Sequence, residues 1–301
     1  MAKLTDLSNE LLYSIVAHLE TGRWSDVRAL WQLCKTSRAL AAVAQPALYT
    51  CVVLGQSMPE TMRSLELFLR TCVERPKLAK KTRSLTLHYH RPAPYKGPDL
   101  MRHPTFSEFS KLWQVQNFDS ERNVLYQTLV LYTLLCLPNL RHLRMDTHNL
   151  PPRGLLQGMH AMRASSDAFL ARLETFHFAE FQEDMEQHGE DSFHYVYPSF
   201  RDFEMLSHIT MQFGKLTKLC HLPESLKCLK LQDCHFDVDL SEDCLRGMLK
   251  LKDTWCPLIE HLSLQGFNVS EAIDMIREVA RSVDLRIFES LGKGLVSFSS
   301  L

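Results

Sequence analysis

The hexapeptide LRHLRM, Leu140 to Met145, has the form Leu-x-x-Leu-x-Leu, and the chain repeats it. TRSLTL (82–87), LETFHF (173–178), LSHITM (206–211), LKCLKL (226–231) and IEHLSL (259–264) follow the same pattern, with endpoints 58, 33, 33, 20 and 33 residues apart. These gaps equal or exceed the length of a leucine-rich repeat, and the first is large enough to hold another unit. Leucine supplies 49 of the 301 residues, well above ordinary usage. Helix-compatible stretches lie between the units, among them Glu121 to Leu137 ahead of Pro138, and Glu271 to Val283. Strand alternating with helix predicts an α/β chain whose units stack as an irregular leucine-rich-repeat solenoid, with parallel strands on its concave face and helices outside.

Side chains alternate along a strand, so the apolar positions of each x-Leu-x-Leu-x unit point to the core and the x positions point away. Aligning the units places the outward residues in three columns. The first holds Ser84, His142, Thr175, His208, Cys228 and His261; the second holds Thr86, Arg144, His177, Thr210, Lys230 and Ser263; the third holds His88, Asp146, Ala179, Gln212, Gln232 and Gln265. From this polar surface we take His142, Arg144, His177, His208, Thr210, Lys230, His261 and Gln265 as candidate partner-binding residues.

Ahead of the repeats, Leu7, Leu11, Leu12, Ile15, Val16 and Leu19 recur at spacings of three and four, which predicts a helix from Asn9 to Leu19 with Ser8 placed to cap it. Ser25 and Asp26 are placed to start a second helix, buried through Val27, Leu30, Trp31 and Cys34. A third is expected from Ser37 to about Ala44, closed by Gln45-Pro46. Three short helices cannot bury this much apolar surface among themselves. It is covered either by another protein or by the rest of the chain.

These residues carry a resemblance. LTDLSNELLYSIVAHLE, DVRALWQLCKTSRALA and QPALYTCVVL, within Leu4 to Leu54, resemble the F-box, the motif that docks onto the Skp adaptor of cullin-RING ubiquitin ligases. Leu7, Glu10 and Leu11 match the family's opening, while Ser8 stands where the family has proline; both residue types favour a helix start. The resemblance implies that Leu7, Ser8, Leu11, Leu12, Ile15, Leu30 and Cys34 form the F-box core or its adaptor face. Pro46, Leu48 and Tyr49, and the later Arg75, Pro76, Leu78, Ala79, Arg83, Leu85 and Leu87, resemble filamentous-fungal F-box proteins in particular. It thus implies an F-box at 1–54, a leucine-rich-repeat-like substrate-recognition domain at 55–301, and a non-catalytic subunit of an SCF ubiquitin ligase. Its partners would be the Skp adaptor, through it a cullin-RING ligase, and a protein substrate.

The remaining features narrow the alternatives. A formal charge of -1 supplies no global basic field for nucleic acid. The longest apolar run, Val124 to Leu137, is shorter than the ~20 residues a bilayer demands, and the first residues show no secretory leader. Nine cysteines without a Cys-x-x-Cys pair suit an intracellular chain, cytoplasmic or nuclear, with reduced thiols. Phosphate-loop, dinucleotide, hydrolase-elbow and zincin motifs are all missing, so no cofactor or metal is expected. Cys220, Cys228, Cys234, His235 and Cys244 do not have zinc-finger spacing.

Two rival readings remain open: a scaffold whose N-terminal helices only cap the solenoid, and an enzyme using the column His208, Cys228, His261, for which Cys228 would need a depressed pKa. Locally, Pro59 to His103 is basic and Glu174 to Glu204 acidic. The stretch 179–200 reads as a loop after the Phe178 strand, and Arg91 to Pro104 as another that presents Tyr95 and Lys96.

Overall fold

The computed structural model describes residues 7–20, 23–55, 61–89, 121–148, 152–181, 200–212, 222–232, 256–265, 285–290 and 295–300. The chain is mixed α/β and divides into two compact units, Met1–Leu143 and Arg144–Leu301. The division falls inside a strand.

The first unit opens with three helices, α1 (Asn9–His18), α2 (Trp24–Thr36) and α3 (Arg38–Leu48). Leu12, Val16, Leu30, Leu40, Val43, Ala44 and Ala47 form their shared core, with Leu19, Leu33, Cys34 and Leu48 packed against it. Several local expectations are corrected. Ser8 is the N-cap of α1 by position, yet its side chain makes no capping bond. Helix α2 starts at Trp24 after an Arg23 N-cap, so Ser25 lies inside the first turn and its hydroxyl donates to Asp26. Trp31 is 46% exposed rather than buried, with the Lys35 ammonium 3.2 Å from the centre of its ring. Pro46 sits within α3 instead of closing it. A proline removes one donor to the preceding turn but leaves later residues free to stay helical, and Tyr49 N–H then closes the helix onto the Pro46 carbonyl at 3.2 Å. The cap that does form is Ser37, whose hydroxyl accepts from Leu40 N–H at 3.2 Å.

The unit continues with β1 (Cys51–Leu54), α4 (Thr61–Glu74), α5 (Pro76–Ala79), β2 (Ser84–Tyr89) and α6 (Glu121–Leu135). Strands β1 and β2 are parallel, Cys51 beside Ser84 and Leu54 beside Leu87. The apolar run read in the sequence is α6, buried on every side from Leu129 to Leu134, as expected of a helix without a polar face. Its Tyr126 ring lies 4.2 Å from that of Tyr89. Among the described residues no helix is long and apolar enough to cross a membrane.

Strand β3 (His142–His148) spans the division, and the second unit adds α7 (Pro152–Ser165), β4 (Thr175–Phe181), β5 (His208–Gln212), β6 (Cys228–Gln232), β7 (His261–Gln265), β8 (Leu285–Ser290) and β9 (Leu295–Ser300). Its strand order is β3-β4-β5-β6-β7-β9-β8. Strands β4 to β7 are parallel, with Thr175, His208, Cys228 and His261 in one register row. The all-parallel expectation does not extend to the C-terminal end, where β9 runs antiparallel to both β7 and β8. Ala179 to Phe181 belong to β4 and not to a loop. The rest of that acidic stretch to Pro198, the Arg91 to Pro104 segment with Tyr95 and Lys96, and Glu271 to Val283 lie outside the described residues.

Each repeat also contains a position not read in the sequence. The N–H of the first residue of every unit, Thr82, Leu140, Leu173, Leu206, Leu226 and Ile259, bonds to the carbonyl three residues earlier, at 3.0 to 3.2 Å. Those earlier residues, Ala79, Leu137, Leu170, Phe203, Pro223 and Cys256, are all buried. A tight turn therefore delivers every strand to the core with an extra buried residue at its corner. Leu170 takes φ 50° to do so, a left-handed conformation unfavourable to a residue with a Cβ.

Candidate functional site

Two surfaces collect the residues singled out by the sequence, one in each unit. On α1, Leu12 and Val16 face the three-helix core, while Leu11 (53% exposed), Ile15 (39%) and the preceding Leu7 (37%) lie outside it. One helix thus presents apolar residues to both sides. Of the residues matched to the adaptor face, Leu7, Ser8, Leu11 and Ile15 are surface residues. Leu12 and Leu30 are interior, and Cys34 is half-buried against the core. Leu12 and Leu30 can act on a partner only by holding the exposed side in place. Beside the stripe, Glu10 has its carboxyl pKa lowered by a hydrogen bond to its own backbone N–H and by the Ser8 hydroxyl. This is the role the Ser8 side chain takes in place of capping.

The second surface is the outward side of the parallel strands. Register is as the repeat alignment requires: His177 beside Thr210, Thr210 beside Lys230, Lys230 beside Ser263. His208 is exposed; Thr175, His177, Thr210, Cys228, Lys230 and His261 are half-buried. His142 is also exposed, in the first unit. Gln265 ends β7, and its side chain lies outside the described residues.

The columns are not uniformly open. Asp146, Ala179 and Ser263 all fall below 9% exposure, so this face is covered past the middle of β3 and β4 and at the centre of β7. That burial accounts for an ionic cluster at Asp146. Asp146 accepts from Arg144 Nε at 3.1 Å on Oδ1 and 2.9 Å on Oδ2, and His177 Nε2 stands 3.4 Å from Oδ1. A carboxylate this buried requires such partners. The sequence placed all three residues in neighbouring columns, but not the carboxylate out of water.

The chemistry of the His208, Cys228, His261 column does not favour a nucleophile. Burial pushes the Cys228 thiol pKa up, and the nearby Lys230 cation only partly opposes this, whereas a reactive thiol needs the reverse. Among the described residues no group of three or more His, Cys, Asp or Glu side chains could hold a metal ion. Cys220, Cys234, His235 and Cys244 lie outside those residues. Comparison with known proteins identifies no matching family model, no similar curated protein and no similar solved structure.

A further group escaped the sequence reading because its partners lie in segments outside any repeat pattern. Arg163, 8% exposed on α7, donates through Nε to the Asp202 carbonyl at 2.8 Å and through Nη1 to the carbonyls of Asp167 and Phe169. It also lies over the Phe203 ring, 5.8 Å from its centre. This cation ties α7 to the turns on either side of β4, so its role is structural.

Proposed function

We propose that the chain is a substrate-recognition subunit of an SCF-type ubiquitin ligase: an F-box at 1–54 that binds a Skp-family adaptor, followed by a leucine-rich-repeat solenoid that binds a target protein. The observation that carries this reading is the position of Leu11 and Ile15, exposed on a helix whose other side is already packed in its own three-helix core. A cap on a repeat domain would bury those side chains against the repeats. Covering a large aliphatic side chain contributes roughly 1.5 to 3 kcal/mol before association costs, and the exposed stripe is a natural place for a partner to do so. The polar columns of β4 to β7 support a second, separate binding surface.

In this reading the protein transfers nothing itself. Holding a target on the strands and the adaptor on α1 raises the local concentration of the target's lysines near a ubiquitin-loaded enzyme. The test is co-expression of the full chain with the Skp adaptor of its own organism, followed by size-exclusion chromatography. A stoichiometric complex that is lost in the Leu11→Asp, Ile15→Asp double variant is the expected result. A folded chain that elutes without adaptor would overturn the proposal.

A further inference from the structure

On β4 to β6 the outward side chains of His177, Thr210 and Lys230 stand in one row, and Arg144 on the neighbouring β3 extends it at the matching position of the repeat. Its two ends are full cations of different kinds. The Nε of Arg144 is committed to Asp146, and its side chain is still 52% exposed. The guanidinium is therefore held in one orientation with its outer N–H fork turned to solvent, the arrangement that meets a carboxylate through two parallel bonds. Lys230 makes no ion pair among the described residues. Within the columns of this unit, Asp146 is the one acid among the described residues, and it is buried and engaged.

From this charge pattern we infer that the row binds an extended acidic peptide lying across the strands, with one carboxylate on Arg144 and a second on Lys230. The inference rests on reading this face as the substrate surface and specifies what the substrate presents. Three strand spacings of about 4.8 Å set the anchors about 14 Å apart. An extended peptide advances about 3.4 Å per residue and returns to the same side every second residue. Acidic residues four apart therefore match the row in both distance and direction, and spacings of two or six do not. Between the anchors, the half-buried Thr210 offers a hydroxyl to the peptide backbone. The chemistry favours carboxylate over phosphate because each anchor supplies at most one positive charge, and at Arg144 the buried Asp146 carboxylate already stands beside it. A dianion there would bring a second negative charge up to the buried carboxylate.

Full-length protein is titrated into fluorescein-labelled eleven-residue peptides that carry two glutamates at spacings of two, four or six in a glycine, serine and alanine background, beside a two-glutamine control and a two-phosphoserine version at spacing four. The expected result is tightest binding by the glutamate pair at spacing four, by about fivefold over the other spacings and the glutamine control. That preference disappears in Arg144→Gln and again in Lys230→Gln, the second being a change that leaves no buried carboxylate unpaired. Equal binding at all spacings, a preference that survives both substitutions, or tighter binding of the phosphoserine peptide would overturn the inference. Adaptor binding is measured on the same preparations. A spacing preference without adaptor binding overturns the ligase proposal and leaves the peptide inference standing; adaptor binding without the preference does the opposite.

Discussion

Arg144 and Asp146 stand two residues apart on one strand, and both oxygens of the aspartate accept from the Nε of the arginine, at 3.1 and 2.9 Å. The pair is lopsided, since the arginine side chain is 52% exposed and the aspartate 7%. Removing either partner therefore has a different cost. Arg144→Met takes from a buried carboxylate its closest cation and is expected to cost about 1 to 3 kcal/mol. Asp146→Asn leaves an acceptor in place and a guanidinium that water can reach, and is expected to cost less than about 1 kcal/mol. Thermal unfolding of the two variants checks the order.

Neighbouring leucines on α1 are expected to separate folding from binding. Leu12→Ala removes a core side chain and should destabilise the N-terminal helices by about 2 to 5 kcal/mol, visible as faster amide exchange across α1 to α3. Leu11→Ala should change stability by no more than about 0.5 kcal/mol while weakening the adaptor complex. The reverse order would place the surface on the wrong side of the helix.

The two serines that precede helices are predicted to behave differently. Ser37→Ala removes an observed cap on α3 and should cost about 1 kcal/mol, whereas Ser8→Ala should leave α1 nearly unchanged. Ser8 acts instead on Glu10, whose carboxyl titrates below its ordinary 4.5. An NMR titration of Ser8→Ala should recover only part of that shift, since the larger cause is the backbone bond at Glu10 itself. The sign follows from the lowered pKa: the contribution is present above the ordinary value and is lost as the pH falls through the folded one.

Thiol chemistry gives a pH prediction of opposite sense. Burial pushes Cys72 and Cys256 up to about 12, with smaller contributions from Cys136 and Glu224 respectively. A raised thiol pKa favours the folded state fully below the ordinary 9.0, and the benefit is lost as the pH climbs toward 12. Stability should therefore decline on the alkaline side, and Cys72→Ala, Cys256→Ala should flatten that decline. Alkylation at neutral pH should leave both thiols unmodified and should label Cys228 no faster than an ordinary exposed thiol. Fast labelling at Cys228 would revive an enzymatic reading.

Arg163 is expected to be the most sensitive basic residue of the second unit. Arg163→Met leaves three carbonyls without their donor and should cost roughly 2 to 4 kcal/mol. Arg163→Lys should not restore it, because one ammonium cannot reach in the directions of a planar fork. Denaturant unfolding of both variants decides this.

The strands were legible because the same residues satisfy two requirements: Leu143 and Met145, or Ile209 and Met211, alternate with polar neighbours and are also the ones buried. That double constraint fixes both the direction of each side chain and the register of the columns. The N-terminal helices were legible only as elements. The apolar positions from Leu7 to Leu19 cover more than one side of a helix, and periodicity alone does not say which half is already covered. Trp31 was misjudged for a related reason, since apolar character does not by itself imply burial. The antiparallel pair β8 and β9 had no counterpart in the repeat pattern, because LRIFES and LVSFSS lack the Leu-x-x-Leu-x-Leu form of the parallel strands. Arg163 had no local signal, as its partners lie at Asp167, Phe169 and Asp202.

At the start of five parallel strand pairs one carbonyl oxygen accepts two N–H groups from the next strand: Thr50 from Arg83 and Ser84, Arg83 from Arg141 and His142, Glu174 from Ser207 and His208, Ser207 from Lys227 and Cys228, Lys227 from Glu260 and His261. This fork ties neighbouring repeats at one rim by backbone alone, whatever the side chains are. Distance along the chain is thereby uncoupled from distance in space, since units 20 and 33 residues apart arrive with their side chains in line. Segments between strands can lengthen, shorten or change composition while the outward residues of β4 to β7 keep their rows. A lineage carrying this device could vary what the face meets by editing loops and letters independently, the alignment being held by atoms that every amino acid shares.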